Sequence, residues 1–226
     1  MRSGHKNPGP IQLDEKTFSC FKERGLHFIH LNINSVLPKI DELRLIAKKT
    51  NASIIGLTET KLDETIGNIE VEIDGYTMER FDRNRKGGGV ACYVRNDIIF
   101  NVREHFSDEV ENIFIDIFLP KTKPILVGIV YRPPDQSGFL ELLSEAIGDT
   151  NSFDDQEVYI LGDLNIDMIG KHPLGKSHKE FCSLHGLVQV ITSPTRITVE
   201  TSTLIDHILT NSIEKISQHG VLQSWT

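Results

Sequence analysis

Apolar and polar positions along the chain follow two rhythms. Apolar runs of strand length recur at residues 26–33, 53–57, 75–81, 89–94, 98–103, 112–119, 125–131, 157–161 and 203–209. Turn-forming residues such as Asn96-Asp97, Pro120, Pro124 and Pro133 bound several of them, which predicts strands. Between them lie segments of helical spacing. Residues 38–50 place Ile40, Leu43, Ile46 and Ala47 on one face, with Pro38 suited to a first turn. Residues 138–147 do the same with Phe139, Leu142, Leu143 and Ala146, and 177–185 predicts a short helix. Residues 1–25 form a polar leader with a short helix over 14–24. Several consecutive strands have no helix between them, so their sheets are partly antiparallel. That excludes a purely parallel doubly wound sheet and predicts packed mixed sheets with outer helices.

The apolar strands end in a recurring set of polar residues. Asn32 and Asn34 follow one, Glu59 another, Asp163 and Asn165 a third; Tyr131 ends a fourth, and Asp206 lies in the last. Ends that share one rim gather these groups into a single cleft. Such a cleft suits phosphodiester hydrolysis. A hard cation takes one or two carboxylate oxygens and keeps its waters. It offsets phosphate charge, while a second carboxylate activates water. Amide and phenol groups supply neutral donors to phosphate oxygens. Taken singly, each residue has an ordinary structural reading: a solvated glutamate, a turn asparagine, an edge-strand Asp-His pair. The ordered set carries the argument.

Composition narrows the class. The chain has 226 residues, 38% of them hydrophobic, enough for a sizeable core. Three widely spaced cysteines argue against a disulfide scaffold or a Cys-rich zinc site, and for a reduced intracellular setting. The run 125–131 is too short to span a bilayer, and residues 1–10 lack a signal-peptide core. No membrane association is expected, and no obligate protein partner is readable from the sequence. A net charge of -8 does not favour broad electrostatic binding to nucleic acid. A local patch suffices, however, and residues 80–89 hold Arg80, Arg83, Arg85 and Lys86 beside Gly87, Gly88 and Gly89. Such a loop suits either a hairpin or close approach to DNA. Arg132 and Arg196 adjoin the polar set as candidate phosphate contacts. Lys48-Lys49 reads as a solvated face, and Cys92 as a buried small hydrophobe.

The segments HLNINSVLPKIDELR, TET at 58–60, RNRKGGGVACYVRND, VGIVYRPP, EVYILGDLNID and SPTRITVETSTLIDHILT stand in one order. Together they resemble the endonuclease/exonuclease/phosphatase family, and in wording the apurinic-type endonuclease domain of non-LTR (LINE, L2/CR1-like) retrotransposons. The resemblance covers residues 26–222, leaving 223–226 as an unrelated tail. It implies a DNase I-like α/β fold, a four-layer sandwich of two mixed β-sheets flanked by helices. It also implies a Mg²⁺-dependent endonuclease, with Mn²⁺ as a substitute, that nicks DNA in the nucleus. Carried over by position, Glu59 is the principal metal ligand and Asn34 lies near the metal. Asn32, Tyr131 and Asn165 contact the scissile phosphate, Asp163 activates water, and Asp206 orients a catalytic histidine. Arg83, Arg85, Lys86, Arg132 and Arg196 are the expected nucleic-acid contacts.

Two departures stand out. Pro134 occupies a position where many family members have Asn. The family's closing Ser-Asp-His motif and final strand are not found before Thr226. His207 belongs to the Leu-Ile-Asp-His strand, and His219 reads as a surface residue. The expectation is a chain that lacks the last strand, with Asp206 facing an empty place and activity lowered by about 10²–10⁴. Two other readings stay open: a non-catalytic or DNA-binding remnant, and a phosphomonoester hydrolase of the same fold.

Overall fold

The computed structural model describes residues 19–104, 109–148, 156–170 and 173–222. Most of the expected leader and all of the tail at 223–226 lie outside these; Cys20–Lys22 forms one 3₁₀ turn.

The first sheet contains β1 (Phe28–Asn32), β2 (Ile54–Thr58), β3 (Tyr76–Phe81) and β4 (Val90–Arg95), in the order β1-β2-β4-β3. The second contains β5 (Ile99–Val102), β6 (Glu111–Phe118), β7 (Ile125–Tyr131), β8 (Glu157–Asp163), β9 (Val188–Gln189) and β12 (Asp206–Thr210), ordered β5-β6-β7-β8-β12-β9. A small hairpin pairs β10 (Arg196–Ile197) with β11 (Ser202–Thr203). The α-helices among the described residues are α1 (Ile40–Thr50), α2 (Phe139–Gly148) and α3 (Pro173–Leu184), with short 3₁₀ turns at Leu37–Lys39, Asn68–Val71 and Ile213–Lys215. Parallel pairing joins β1 to β2 and β7 to β8, and the other ladders are antiparallel. Each parallel pair is bridged by a helix, α1 or α2, because a parallel return needs a crossover.

Strand alternation sorts the apolar residues into layers. Ile113, Ile115, Val127, Ile129, Tyr159 and Leu161 meet Ile54, Val90 and Cys92 between the sheets. Phe114, Leu126, Val130, Val158 and Ile160 face the other way, onto α2 and α3. On the far side, Ile29, Ile55 and Ala91 pack on Leu43, Ile46 and Ala47 of α1. The order is therefore helix, sheet, sheet, helices, as expected for the DNase I-like class. The two sheets press closely: a Cβ at Gly56 on the first would run into the Ile129 side chain of the second. Among the described residues no helix is long and apolar enough to cross a membrane.

Some boundaries differ from the sequence pattern. Helix α3 begins at Pro173, four residues before the expected start, because proline is compatible with a first turn. Strand β12 begins at Asp206 rather than at residue 203. Leu204 and Ile205 instead use their carbonyls to hold Met168 and Leu164 in the loop after β8.

Candidate active site

The site arises from register. On the second sheet Glu111 lies opposite Tyr131, Tyr131 opposite Asp163, and Asp163 opposite Asp206. Tyr131 continues the inward row of Val127 and Ile129, and Asp163 that of Tyr159 and Leu161. Four polar residues thus form a rank where the core reaches its rim.

The first sheet meets this rank through Asn32. Its amide Nδ2 donates to Glu59 Oε1 at 2.9 Å and to Asp163 Oδ2 at 2.7 Å. One amide therefore ties together groups from both sheets. Matching turns set the flanking residues. Asn32 Oδ1 accepts the Asn34 backbone N–H at 3.2 Å, and Asp163 Oδ1 accepts that of Asn165 at 2.9 Å. These side-chain turns carry Asn34 (φ 44°) and Asn165 (φ 49°) into the left-handed region, which asparagine tolerates. Glu59 has φ 53° and lacks that tolerance. It is held by neighbouring loops: the Ser35 and Val36 N–H groups donate to Glu59 and Thr60 carbonyls, and those of Thr60 and Lys61 to Gly89 and Gly88. Strain held this way at a polar cleft marks a place where position matters.

Charge is concentrated here. Asp163 is 1% exposed. Burial, then the Asp206 charge, push its carboxyl up to about 7. Burial, then Glu59, Asp163 and Glu111, push the Tyr131 phenol well above its ordinary value, so it stays a donor. Burial raises Glu111 too, opposed by the Gly89 N–H and by Arg83, whose guanidinium lies 3.1 Å away. A cleft of about 410 Å³ runs beside this pair, lined by Phe81, Asp82, Arg83, Glu109, Glu111, Pro133 and Gln136.

The donor set fits a hard divalent cation. Lys61 Nζ already sits against Asn34 Oδ1 and 3.8 Å from Glu59 Oε2, so a positive charge occupies the space between them. Carboxylate and amide oxygens suit Mg²⁺, which keeps most of its waters. Among the described residues no group of three or more His, Cys, Asp or Glu side chains is placed to hold a metal ion.

The other expected residues divide. Asn165 Nδ2 donates to the Arg132 carbonyl at 2.8 Å, beside the rank. Arg85 and Lys86 are exposed on the glycine-rich loop, and Arg196 is exposed on the β10–β11 hairpin. Arg132 requires correction. It is 3% exposed, and its guanidinium donates to the carbonyls of Leu164, Asn165 and Gln136. It binds the loop after β8 to the loop after β7, so its guanidinium is engaged inside the fold rather than presented as a surface cation. Asp206 does not face an empty place either. His30 Nδ1 lies 3.6 Å from its Oδ1, and the His30 side chain is 5% exposed. His219 is exposed, as read from the sequence.

Sequence reasoning missed His30, Lys61 and Glu111. Each had a faint signal: His30 shares a strand face with Asn32, Lys61 follows Glu59 by two, and Glu111 begins a strand opposite Tyr131.

The model of the Endonuclease/Exonuclease/phosphatase family matches residues 29–223. Among solved structures, the endonuclease domain of TRAS1, a telomere-specific non-LTR retrotransposon, is 14% identical with a TM-score of 0.65, covering 82% of this chain and 84% of that one. An AP endonuclease from Archaeoglobus fulgidus is 18% identical with a TM-score of 0.63, covering 83% and 87%. The 3'-5' exonuclease NExo from Neisseria meningitidis is 17% identical with a TM-score of 0.63, covering 81% and 86%. At these identities the likeness is one of fold. No curated protein matches the chain.

Proposed function

Because the chain belongs to the Endonuclease/Exonuclease/phosphatase family, we propose that it is a divalent-metal-dependent phosphodiester hydrolase that nicks one strand of DNA. Members of this family are hydrolases, nucleases and phosphatases among them, and generally use divalent metal ions. The observation that carries the reading is the Asn32 amide bridging Glu59 and Asp163 across the two sheets. It joins a cation-binding carboxylate to a buried carboxyl whose raised proton affinity suits a base near neutral pH.

Glu59 and Asn34 would hold Mg²⁺, or Mn²⁺ in its place, which supplies charge neutralisation of the phosphate and the leaving oxygen. Asp163, once ionised, takes the proton of the attacking water. Asn32 donates both amide hydrogens to Glu59 and Asp163, so it orients that carboxylate in place of the phosphate contact expected of it, and Asp206 contributes negative charge that strengthens Asp163 as a base. Tyr131 and Asn165 offer neutral donors to the phosphate oxygens, stabilising charge where it develops. Arg83, Arg85 and Lys86 line one approach to the rim, and Arg196 lies on a separate hairpin; these follow the DNA backbone. DNA as substrate, nuclear location and retrotransposon origin are supported by the ordered sequence segments. The fold shared with the TRAS1 domain adds support, as does that shared with a Neisseria 3' phosphatase described as bound to product DNA hairpin.

The test compares substrates. Supercoiled plasmid and small phosphomonoesters are each incubated with the purified chain in Mg²⁺ and in EDTA. Conversion to open circles in Mg²⁺ alone is expected. Phosphate release from the small esters without nicking would replace this reading with that of a phosphomonoesterase.

A further inference from the structure

His30 is a polar residue beside the rim whose side chain is almost wholly buried. Alternation on β1 directs Ile29, Leu31 and Ile33 to the α1 side, so His30 and Asn32 share the face toward the second sheet. There the imidazole has a partner for each nitrogen. Nε2 lies 3.1 Å from Thr58 Oγ1, and Nδ1 lies 3.6 Å from Asp206 Oδ1. At 3.6 Å the second contact is longer than a hydrogen bond, an electrostatic approach of the ring to the carboxylate. Its chemistry still fixes the ring. An ionised carboxylate only accepts, so the nitrogen facing it carries the hydrogen, and Nε2 accepts from the Thr58 hydroxyl. This is the Nδ1–H form of a neutral imidazole.

The location gives the pair a consequence. Asp206 lies opposite Asp163 in register, and its charge is the largest influence on Asp163 after burial. Thr58 directly precedes Glu59, which Asn32 binds. The ionisable groups around the imidazole are Asp206, then Asp163 beside it on β8, Glu59 beyond Thr58, and His207 on the opposite face of β12. Burial disfavours the charged imidazole and Asp206 favours it. By geometry, the Nδ1–H group faces the Asp206 carboxylate as a directed dipole.

We propose that His30 is a positioning residue that holds the Asp206 carboxylate beside Asp163 and ties it through Thr58 to the turn carrying Glu59. The positioning role rests on the proposed function, in which Asp163 is the base; the pairing itself does not.

Two measurements on the full chain test it. Imidazole ¹⁵N shifts report the tautomer of His30 directly, without any variant, and the Nδ1–H form is expected. Steady-state nicking by His30→Leu and His30→Asn reports the role. The leucine removes both polar contacts, and the asparagine restores an N–H close to the place of Nδ1. His30→Leu should lower kcat about 10–100-fold with KM unchanged, the usual cost of losing an outer partner in such a site, and His30→Asn should recover most of it. The Nε2–H form would overturn the pairing. Equal losses in both variants, or none in either, would overturn the positioning role. If the parent does not nick while His30 shows the Nδ1–H form, the nuclease reading fails and the positioning role with it, and the pairing stands.

Discussion

Replacing Asp163 by Asn removes a buried charge while keeping the side chain's shape. In the folded protein this carboxyl is raised from 3.8 to about 7, by burial first and then by Asp206. The unfolded chain returns it to the ordinary value. A difference of about 3 units at ~1.4 kcal/mol each amounts to about 4 kcal/mol. The folded state holds the proton more tightly than the unfolded state, so rising pH erodes stability between 3.8 and about 7. The penalty is absent below that window and full above it. Asn at 163 escapes the penalty but loses the bond that Oδ2 accepts from Asn32, costing about 1–3 kcal/mol at every pH. The stability of Asp163→Asn relative to the parent should therefore climb by up to about 4 kcal/mol between pH 4 and pH 8. Urea unfolding of both proteins in EDTA across that range measures it, with one slope assumed for each. A gap that stays constant with pH would refute the reasoning, because Asp163 would then carry no buried charge. The same variant should not nick DNA, so a stability gain coincides with loss of activity.

Further outcomes follow from the same geometry. Nicking by the parent should rise as pH approaches about 7, and Asp206→Asn should move that rise to lower pH by removing the charge that holds the proton on Asp163; a profile unmoved by the substitution would separate Asp206 from the base. Arg132→Ala should destabilise the fold by about 2–4 kcal/mol, since one buried and two partly buried carbonyls lose their donor, whereas Arg85→Ala and Lys86→Ala should leave melting unchanged. Those two exposed changes should instead weaken DNA binding and lower its salt dependence by about one counterion each, read by titration at several salt concentrations. Cys92→Ser should keep the chemistry and cost about 1–3 kcal/mol for a hydroxyl buried between the sheets, visible as a lower Tm with unchanged kcat.

The parts legible in the sequence are those that local chemistry determines. Strand β7 has the bounds expected, because a strand buried on both faces reads as one apolar run and Pro124 and Pro133 delimit it. Helix α1 was visible from the spacing of Leu43, Ile46 and Ala47, all buried against the first sheet. Strand ends on a shared rim predict that Asn32, Glu59 and Asp163 converge, and two hydrogen bonds from the Asn32 amide join them. What escaped depends on tertiary contact. Arg132 reads as a surface cation until its three carbonyl partners are known. The partner of Asp206 lies on β1, 176 positions earlier in the chain (206 less 30), and no local pattern links a histidine there to it. Strands β9, β10 and β11 have two residues each, too few for any periodicity.

The central claim is that Glu59, held by Asn32 against Asp163, serves a phosphodiester hydrolase. Supercoiled plasmid incubated in Mg²⁺ with the parent chain and with Glu59→Ala tests it most directly. Glu59 is partly exposed and outside the apolar core, so the variant should fold as the parent does. The account predicts open circles with the parent and none with the variant. Equal nicking by both would contradict it.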